Sequence, residues 1–436
     1  MIYCVYKMEG KEMNSKNSKE RNFIKSLLAK NWTQFKIKPK EAMEMVKTKG
    51  FQSLNISLYE DPEYHFREFF DKETGLWITG DCEDGTTPFR RSFPSLLDIG
   101  IMGHCPNGKA GICAKAGIQC YQNAPNSTRD NMKLEDFKTI IDQCKGKTFQ
   151  VALGGAGDPN LHENFKEIVE YCRNNGIIPN YTTSGFNLTD KQVEISKQCG
   201  AVAVSQYSRL EIGQMPSYQI LEDGSRIPTE MMQVFSETNP QTNIAIQKFL
   251  DAGITTNIHY VLGKNTIKEA IIRLKNNLFP EGINAIVFLL HKPVGLGQES
   301  NMLHYDDPEV KEFFELIDNE KFPFKIGFDA CSVPGIINFT KNIDSRSTET
   351  CEGSRTSAYI DAQMNMMPCS FGNQDKSYYV SLYDNTIKEA WESEVFNNFR
   401  NHLFKACPNC KNRVNCYGGC PIISNIVLCN RQERKY

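Results

Sequence analysis

Cys105, Cys113 and Cys120 stand within sixteen residues, in the run Cys105-Pro-Asn-Gly-Lys-Ala-Gly-Ile-Cys113-Ala-Lys-Ala-Gly-Ile-Gln-Cys120-Tyr121. The residues between them are mostly Gly, Ala, Asn and Lys, which build little core, so the stretch reads as a loop. Three thiolates on one loop can hold three irons of a four-iron cluster and leave the fourth iron open. Zinc would ask for a fourth protein ligand, and no Cys or His follows closely; His104 adjoins Cys105 and is poorly placed to share an ion with it. Three unrelated thiols are the plain alternative. A second concentration lies downstream, where seven of the sixteen cysteines fall between Cys351 and Cys429, including Cys407-x2-Cys410-x5-Cys416-x3-Cys420. That segment has little regular apolar pattern and needs a staple, which metal would supply. Four-cysteine zinc sites use similar spacings.

The elements that must position these thiols are legible from periodicity. Strands are expected at 96–102, 148–153, 179–183, 201–206, 255–262 and 285–290. Helices are expected at 133–144, 163–175, from 189, at 244–252, 266–278 and 308–318. Thr189 with Gln192, and Thr266 with Glu269, read as capping boxes. Six strand-then-helix units imply parallel strands with right-handed crossovers, too few for an eight-unit barrel. A partial (β/α)6 barrel is the natural reading. Ligands in such folds sit at the carboxyl ends of the strands. The three-cysteine loop leaves the first strand there, and Gly154-Gly155-Ala-Gly-Asp158 leaves the second. Residues 208–238 form a long polar insertion at the same end that could serve as a lid. Upstream, 65–80 reads as a hairpin with Phe69 and Phe70 before its turn.

The chain of 436 residues has a formal net charge of −2. Its length suggests two or three domains, and its balance gives no footprint for nucleic acid. Residues 1–50 hold twelve Lys or Arg against five Asp or Glu. They contain a possible amphipathic helix at 21–30. A solvated surface explains the excess, and a dock for an acidic peptide is the functional alternative. No signal peptide is visible, and no apolar run approaches the ~20 residues of a membrane span. The expectation is a cytoplasmic protein with reduced cysteines and no membrane partner.

The loop, the glycine turn and the C-terminal cysteines together resemble radical S-adenosylmethionine (AdoMet, SAM) enzymes with a C-terminal SPASM domain, over roughly residues 93–436. The resemblance implies a partial radical SAM barrel at 93–323 and a SPASM domain at 324–436, behind an N-terminal extension at 1–92. It implies three [4Fe-4S] clusters. Cys105, Cys113 and Cys120 would hold the AdoMet cluster. Cys407, Cys410, Cys416 and Cys429 would hold one auxiliary cluster. Cys351, Cys369 and Cys420 would hold the other, with Cys331 the candidate fourth ligand. The unique iron would chelate AdoMet, and one electron would cleave it to a 5′-deoxyadenosyl radical that removes a substrate hydrogen atom. Gly154 and Gly155 would let the backbone approach the methionine part, and Asp158 would meet its ammonium. Ser184 and Ser205 are candidate ribose contacts, and Arg209 a candidate for the carboxylate. Cys82 is a candidate hydrogen donor. His291 is a candidate catalytic group, and with Lys292 it ends the sixth strand. Cys144 and Cys172 read as core thiols.

There are departures from the family pattern. The family's loop is Cys-x3-Cys-x2-Cys, and here the gaps are seven and six. A Gly is expected five residues before Cys369, where Met364 stands; Asn365 is expected to take the positive φ instead. Relatives of the sulfatase-maturing type carry an Asp after the cysteine matching Cys369, and here Ser370 follows. The activity implied is therefore modification of a ribosomal peptide or protein side chain, with electrons from a low-potential donor such as flavodoxin or ferredoxin. A radical dehydrogenase of a small molecule and a non-catalytic iron–sulfur or zinc scaffold are the alternatives.

Overall fold

Alternate residues of the first barrel strand are large and apolar, and they go to the core. Leu97, Ile99 and Ile101 are fully buried, while Asp98 and Gly100 belong to the opposite face. The computed structural model describes residues 3–5, 56–64, 66–72, 75, 77–81, 89–220, 226–343, 350–405, 407–418, 420–426 and 428–430. Cys82, the basic segment beyond residue 5 and the helix expected at 21–30 lie outside the described residues.

The strands are β1 (Tyr3–Val5), β2 (Ile56–Asp61), β3 (Phe66–Asp71), β4 (Trp77–Asp81), β5 (Leu96–Met102), β6 (Gln150–Gly155), β7 (Ile178–Thr183) and β8 (Val202–Ser205). They continue with β9 (Leu210–Ile220), β10 (Arg226–Glu237), β11 (Thr256–Leu262), β12 (Ala285–Leu290), β13 (Lys325–Phe328), β14 (Ser357–Ile360), β15 (Asn365–Met367) and β16 (Val380–Ser381). One sheet runs β1-β13-β12-β11-β8-β7-β6-β5-β14-β15-β16. From β13 to β14 every pairing is parallel. The six expected strands are its middle. Two short strands extend it, β13 beside β12 and β14 beside β5, so the parallel run crosses the boundary expected at 323/324.

Helices cover the outer face with the residues their period predicts. Phe137, Ile140, Ile141 and Cys144 of helix Leu134–Cys144 are buried, as are Phe165, Ile168, Val169 and Cys172 of helix Phe165–Asn174, the spacing of a one-sided apolar stripe. Cys144 and Cys172 are core thiols, as expected. Thr189 and Gln192 form the expected capping box on helix Asp190–Ser196. Thr266 does not cap helix Ile267–Lys275. Its hydroxyl instead donates to the Val261 carbonyl at 2.7 Å and accepts the Gly263 N–H at 2.9 Å, tightening the exit from β11. Glu269, the other half of that expected box, pairs with Arg273 at 2.7 Å.

The hairpin expected at 65–80 is present as β3 and β4, with β2 added beside β3. Phe70 stacks on Phe149 with ring centroids 6.1 Å apart and shares a small core with Ile178. Phe149 precedes β6 and Ile178 opens β7, so this sheet covers the amino ends of those strands. Arg91 and Glu68 lock it down as a buried ion pair at 2.9 Å. Within the insertion expected at 208–238, β9 and β10 pair as a two-stranded antiparallel ribbon. Among the described residues no helix is long and apolar enough to cross a membrane.

Candidate active site

Cys105 ends the exit from β5 and caps a short helical turn, Pro106–Lys109, its sulfur accepting the Gly108 N–H at 3.1 Å. Cys113 falls in a second turn, Ile112–Lys115. The loop's close is fixed from β12: the Leu296 N–H donates to the Cys120 carbonyl at 2.9 Å, and the Gln298 N–H donates to Gln119 Oε1 at 3.2 Å. The thiols of Cys105, Cys113 and Cys120 come within electrostatic reach of one another, and Cys105 and Cys113 within reach of Asp158. Burial pushes the Cys105 thiol up and the Cys113 thiol up to about 12.

The turn after β6 needs its glycines for close approach. Gly155 has φ +119°, and a Cβ there would strike the Met102 carbonyl; one on Gly157 would meet the His104 carbonyl at 2.5 Å. These contacts press the turn against the exit from β5, where Cys105 lies. A Cβ on Gly154 would meet nothing within 4 Å, so this residue leaves open space on the face it shares with Asp98.

Asp158 follows in the same turn and is half-buried. Burial raises its pKa, against the donors that favour the charged form. Those donors are the Ser184 N–H at 3.0 Å, the Ser184 hydroxyl, and Asn107 Nδ2 at 3.4 Å. Asn107 is tied in turn to Asn187 at 3.2 Å. The Ser184 hydroxyl donates to Asp158 and accepts the Phe186 N–H at 3.3 Å. Ser205 ends β8 and bonds to Tyr207, which lies within reach of Cys113, Cys120 and Asp158. Arg209 begins the ribbon, its N–H donating to Thr238 Oγ1 at 3.2 Å. Its charge acts on Tyr260, a core residue on the helix-covered face of β11. His291 is committed to a loop: its Nε2–H donates to the Gln298 carbonyl at 2.9 Å, and burial lowers its pKa.

The downstream cysteines fall into two sets by mutual electrostatic reach. Cys331 and Cys420 are hydrogen-bonded, and both act on or feel Cys351 and Cys369. Burial drives Cys351 up and takes Cys369 to about 11. Cys416 sits with Cys407, Cys410 and Cys429, and burial raises it to about 11. Backbone N–H groups donate to sulfur at Cys410, from Asn412 at 3.4 Å, and at Cys420, from Ile423 at 3.3 Å. Half-buried and buried sulfurs that are bunched and in part given N–H donors fit a cationic cluster as the counter-charge of their thiolates. The described cysteines carry no disulfide. Among the described residues, no three acidic, His or Cys side chains close around a single ion as they stand.

Met364, not Asn365, takes the positive φ before Cys369, at +62°. Asn365 is a strand residue whose amide donates to both Asp361 carboxylate oxygens at 3.1 Å. The tight turn is thus held by Asp361, and a methionine endures in it because its side chain is buried in the core.

Several residues on this face of the sheet carried no motif. Asp98 is half-buried and desolvation raises its pKa; it acts on Tyr121 and Cys369. His259 faces the same side of the sheet beside Thr182, whose Oγ1 lies 3.3 Å from Nδ1. Burial lowers its pKa to about 3. Their one visible signal is polarity at inward positions of otherwise apolar strands.

A family model described as an iron–sulfur cluster-binding domain, SPASM, matches residues 351–417. The fold is similar to that of Streptococcus suis SuiB bound to S-adenosylmethionine. That match is 14% identical, covers 86% of this chain and 98% of the other, and has a TM-score of 0.60. SuiB bound to the precursor peptide SuiA is similar to the same degree, with a TM-score of 0.60 at 14% identity over 84% of this chain and 96% of that one. The structure of anSMEcpe with bound AdoMet is 17% identical over 78% of this chain and 89% of its own, with a TM-score of 0.50. No curated protein matches the chain in sequence.

Proposed function

The chain has the fold of the radical AdoMet enzymes and carries a C-terminal SPASM domain, and on that premise we propose that it cleaves AdoMet reductively to modify a residue of a peptide or protein. The observation that carries this reading is the sorting of eleven cysteines into one group of three and two groups of four. Only the group of three leaves an iron of a four-iron cluster without a protein ligand. When bound there, the cluster would supply the electron that cleaves AdoMet and so yields the carbon radical that takes a hydrogen atom from the substrate.

The chain's own residues bind, orient and exclude water. Gly154 leaves the space, and Asp158, held by Ser184 and Asn107, presents a fixed carboxyl on the turn that follows it. That carboxyl is placed to meet an ammonium group. Tyr207, within electrostatic reach of Cys113, Cys120 and Asp158, stacks on Phe186. The other two groups, Cys331, Cys351, Cys369, Cys420 and Cys407, Cys410, Cys416, Cys429, are read as auxiliary cluster ligands. A low-potential donor such as flavodoxin or ferredoxin feeds the chain. A peptide substrate is favoured by the likeness to SuiB, which was captured with its precursor peptide.

The test is anaerobic. Reconstituted protein is given AdoMet and a reductant, and 5′-deoxyadenosine is measured. It is then incubated with short peptides encoded beside its gene, and their mass is followed. Deoxyadenosine with a shifted peptide mass is expected. Deoxyadenosine with no shift in any peptide would turn the reading towards a small-molecule substrate. Its absence from iron-loaded protein would leave a scaffold.

A further inference from the structure

β12 ends at Leu290, and two residues later Lys292 turns back into the protein. Its side chain is 3% exposed. The ammonium donates to the Leu290 carbonyl at 3.0 Å, pairs with the Asp329 carboxylate and lies 4.6 Å from the centre of the Phe371 ring. Asp329 is held by the Leu290 N–H at 3.2 Å and the Ser332 hydroxyl at 2.8 Å. It stands two residues before Cys331, and Phe371 stands two residues after Cys369. The ammonium is therefore clamped between the segments that carry those two cysteines. On its other side, Phe371 packs against Tyr121 with centroids 5.2 Å apart, next to Cys120. Lys292 thus belongs to the wall between the three-cysteine loop and the group of Cys331, Cys351, Cys369 and Cys420.

The field of the ion pair is one-sided. Lys292 favours the thiolates of both Cys331 and Cys369, and it lies within reach of Cys420. Asp329 opposes it at Cys331 and is the weaker of the two there. The cationic end of the pair faces the sulfurs. The ammonium is buried, but it is paired with the Asp329 carboxylate and bonded to the Leu290 carbonyl, partners that favour its charged form.

We propose that Lys292 raises the reduction potential of the cluster that Cys331, Cys351, Cys369 and Cys420 would hold, acting as a fixed buried positive charge beside the sulfurs. The inference rests on the reading of these four cysteines as cluster ligands. Reduction adds one electron to the cluster, and Lys292 keeps its proton in both states. A neighbouring cation stabilises the more negative, reduced form, and burial leaves that attraction weakly screened. A higher potential makes the cluster a better acceptor for the electron that a substrate gives up after losing its hydrogen atom.

The full chain is reconstituted without oxygen and its iron measured in the wild type and in Cys351→Ala. The clusters are then titrated with dithionite under EPR in wild type, Lys292→Met and Lys292→Arg. At the potential where the wild-type cluster is half reduced, the reduced-to-oxidised ratio in Lys292→Met should fall about tenfold, about 59 mV for one electron. Lys292→Arg keeps the charge and should stay close to wild type. If Lys292→Met fails to fold, as a lone buried carboxylate can cause, Lys292→Met/Asp329→Asn carries the test, with a smaller fall of the same sign. An unchanged midpoint in the variant that folds, or an equal fall in Lys292→Arg, overturns the proposal. A wild type that carries no more iron than Cys351→Ala overturns it together with the reading beneath it, and the iron assay reports that before any titration.

Discussion

Cys113 and Cys410 belong to different thiol groups, and their loss should produce different defects. Cys113→Ala removes one of three thiols from the loop, so 5′-deoxyadenosine is expected to fall to background. Cys410→Ala is expected to keep AdoMet cleavage while losing modified product, provided iron content and solubility show a folded chain. Full deoxyadenosine production by folded Cys113→Ala would falsify the reading of the loop. Ser354 offers a stability test at the same scale. It is fully buried with φ +61°, and its hydroxyl has no hydrogen-bond partner. Ser354→Gly removes both penalties and should stabilise the chain by about 1 kcal/mol, read as a raised thermal midpoint. Single residues were unevenly legible in the sequence. Thiol groups declare themselves by type and spacing, and thiols expected to act together lie within electrostatic reach of one another. Ser184, His291 and Met364 do not, because what a polar atom bonds to, or which residue bends the chain, is decided by partners far away in sequence.

The ribbon of β9 and β10 is tied to the barrel only near its base in the described contacts. Arg273, fully buried, binds Glu237 at 2.6 and 2.8 Å, Glu269 at 2.7 Å and the Ser208 carbonyl at 3.4 Å. Burial raises the Glu237 pKa less than Arg273 and Ser208 lower it. Trimming residues 214–232 to a short Gly-Ser turn should therefore leave the barrel folded. If the ribbon is a lid on the substrate, trimming should raise the substrate's KM about tenfold, or about 1.4 kcal/mol, with substrate-free AdoMet cleavage unchanged. An unchanged KM would show that the ribbon does not touch the substrate. Elements were the most legible scale. The strands at Leu96–Met102 and Ala285–Leu290 fall at their expected bounds, because long alternating or continuous apolar runs leave little choice. The second capping box failed for a visible reason: Arg273, four residues after Glu269, captures its carboxylate, and only the fold shows that this arginine is buried.

The whole chain should bind about twelve irons, four for each of three clusters, when reconstituted without oxygen. Stoichiometric zinc with little iron would sink the assignment of all eleven cysteines. At this scale the sequence was least legible. β13 and β14 are four-residue strands at the edge of a cysteine-rich region, too short for their periodicity to stand out. Yet β14 pairs in register with β5, Ser357 to Leu96 and Ile360 to Ile99. That pairing has a consequence for how the protein is made. The strand leading into the three-cysteine loop waits on a partner about 260 residues later in synthesis, a long loop to close and a slow contact to form. Until then β5 is a bare, apolar sheet edge, the kind of surface on which nascent chains associate. A chain ended at residue 343 should therefore recover in aggregates while the full chain recovers in solution, a difference that size-exclusion chromatography of the two products would measure.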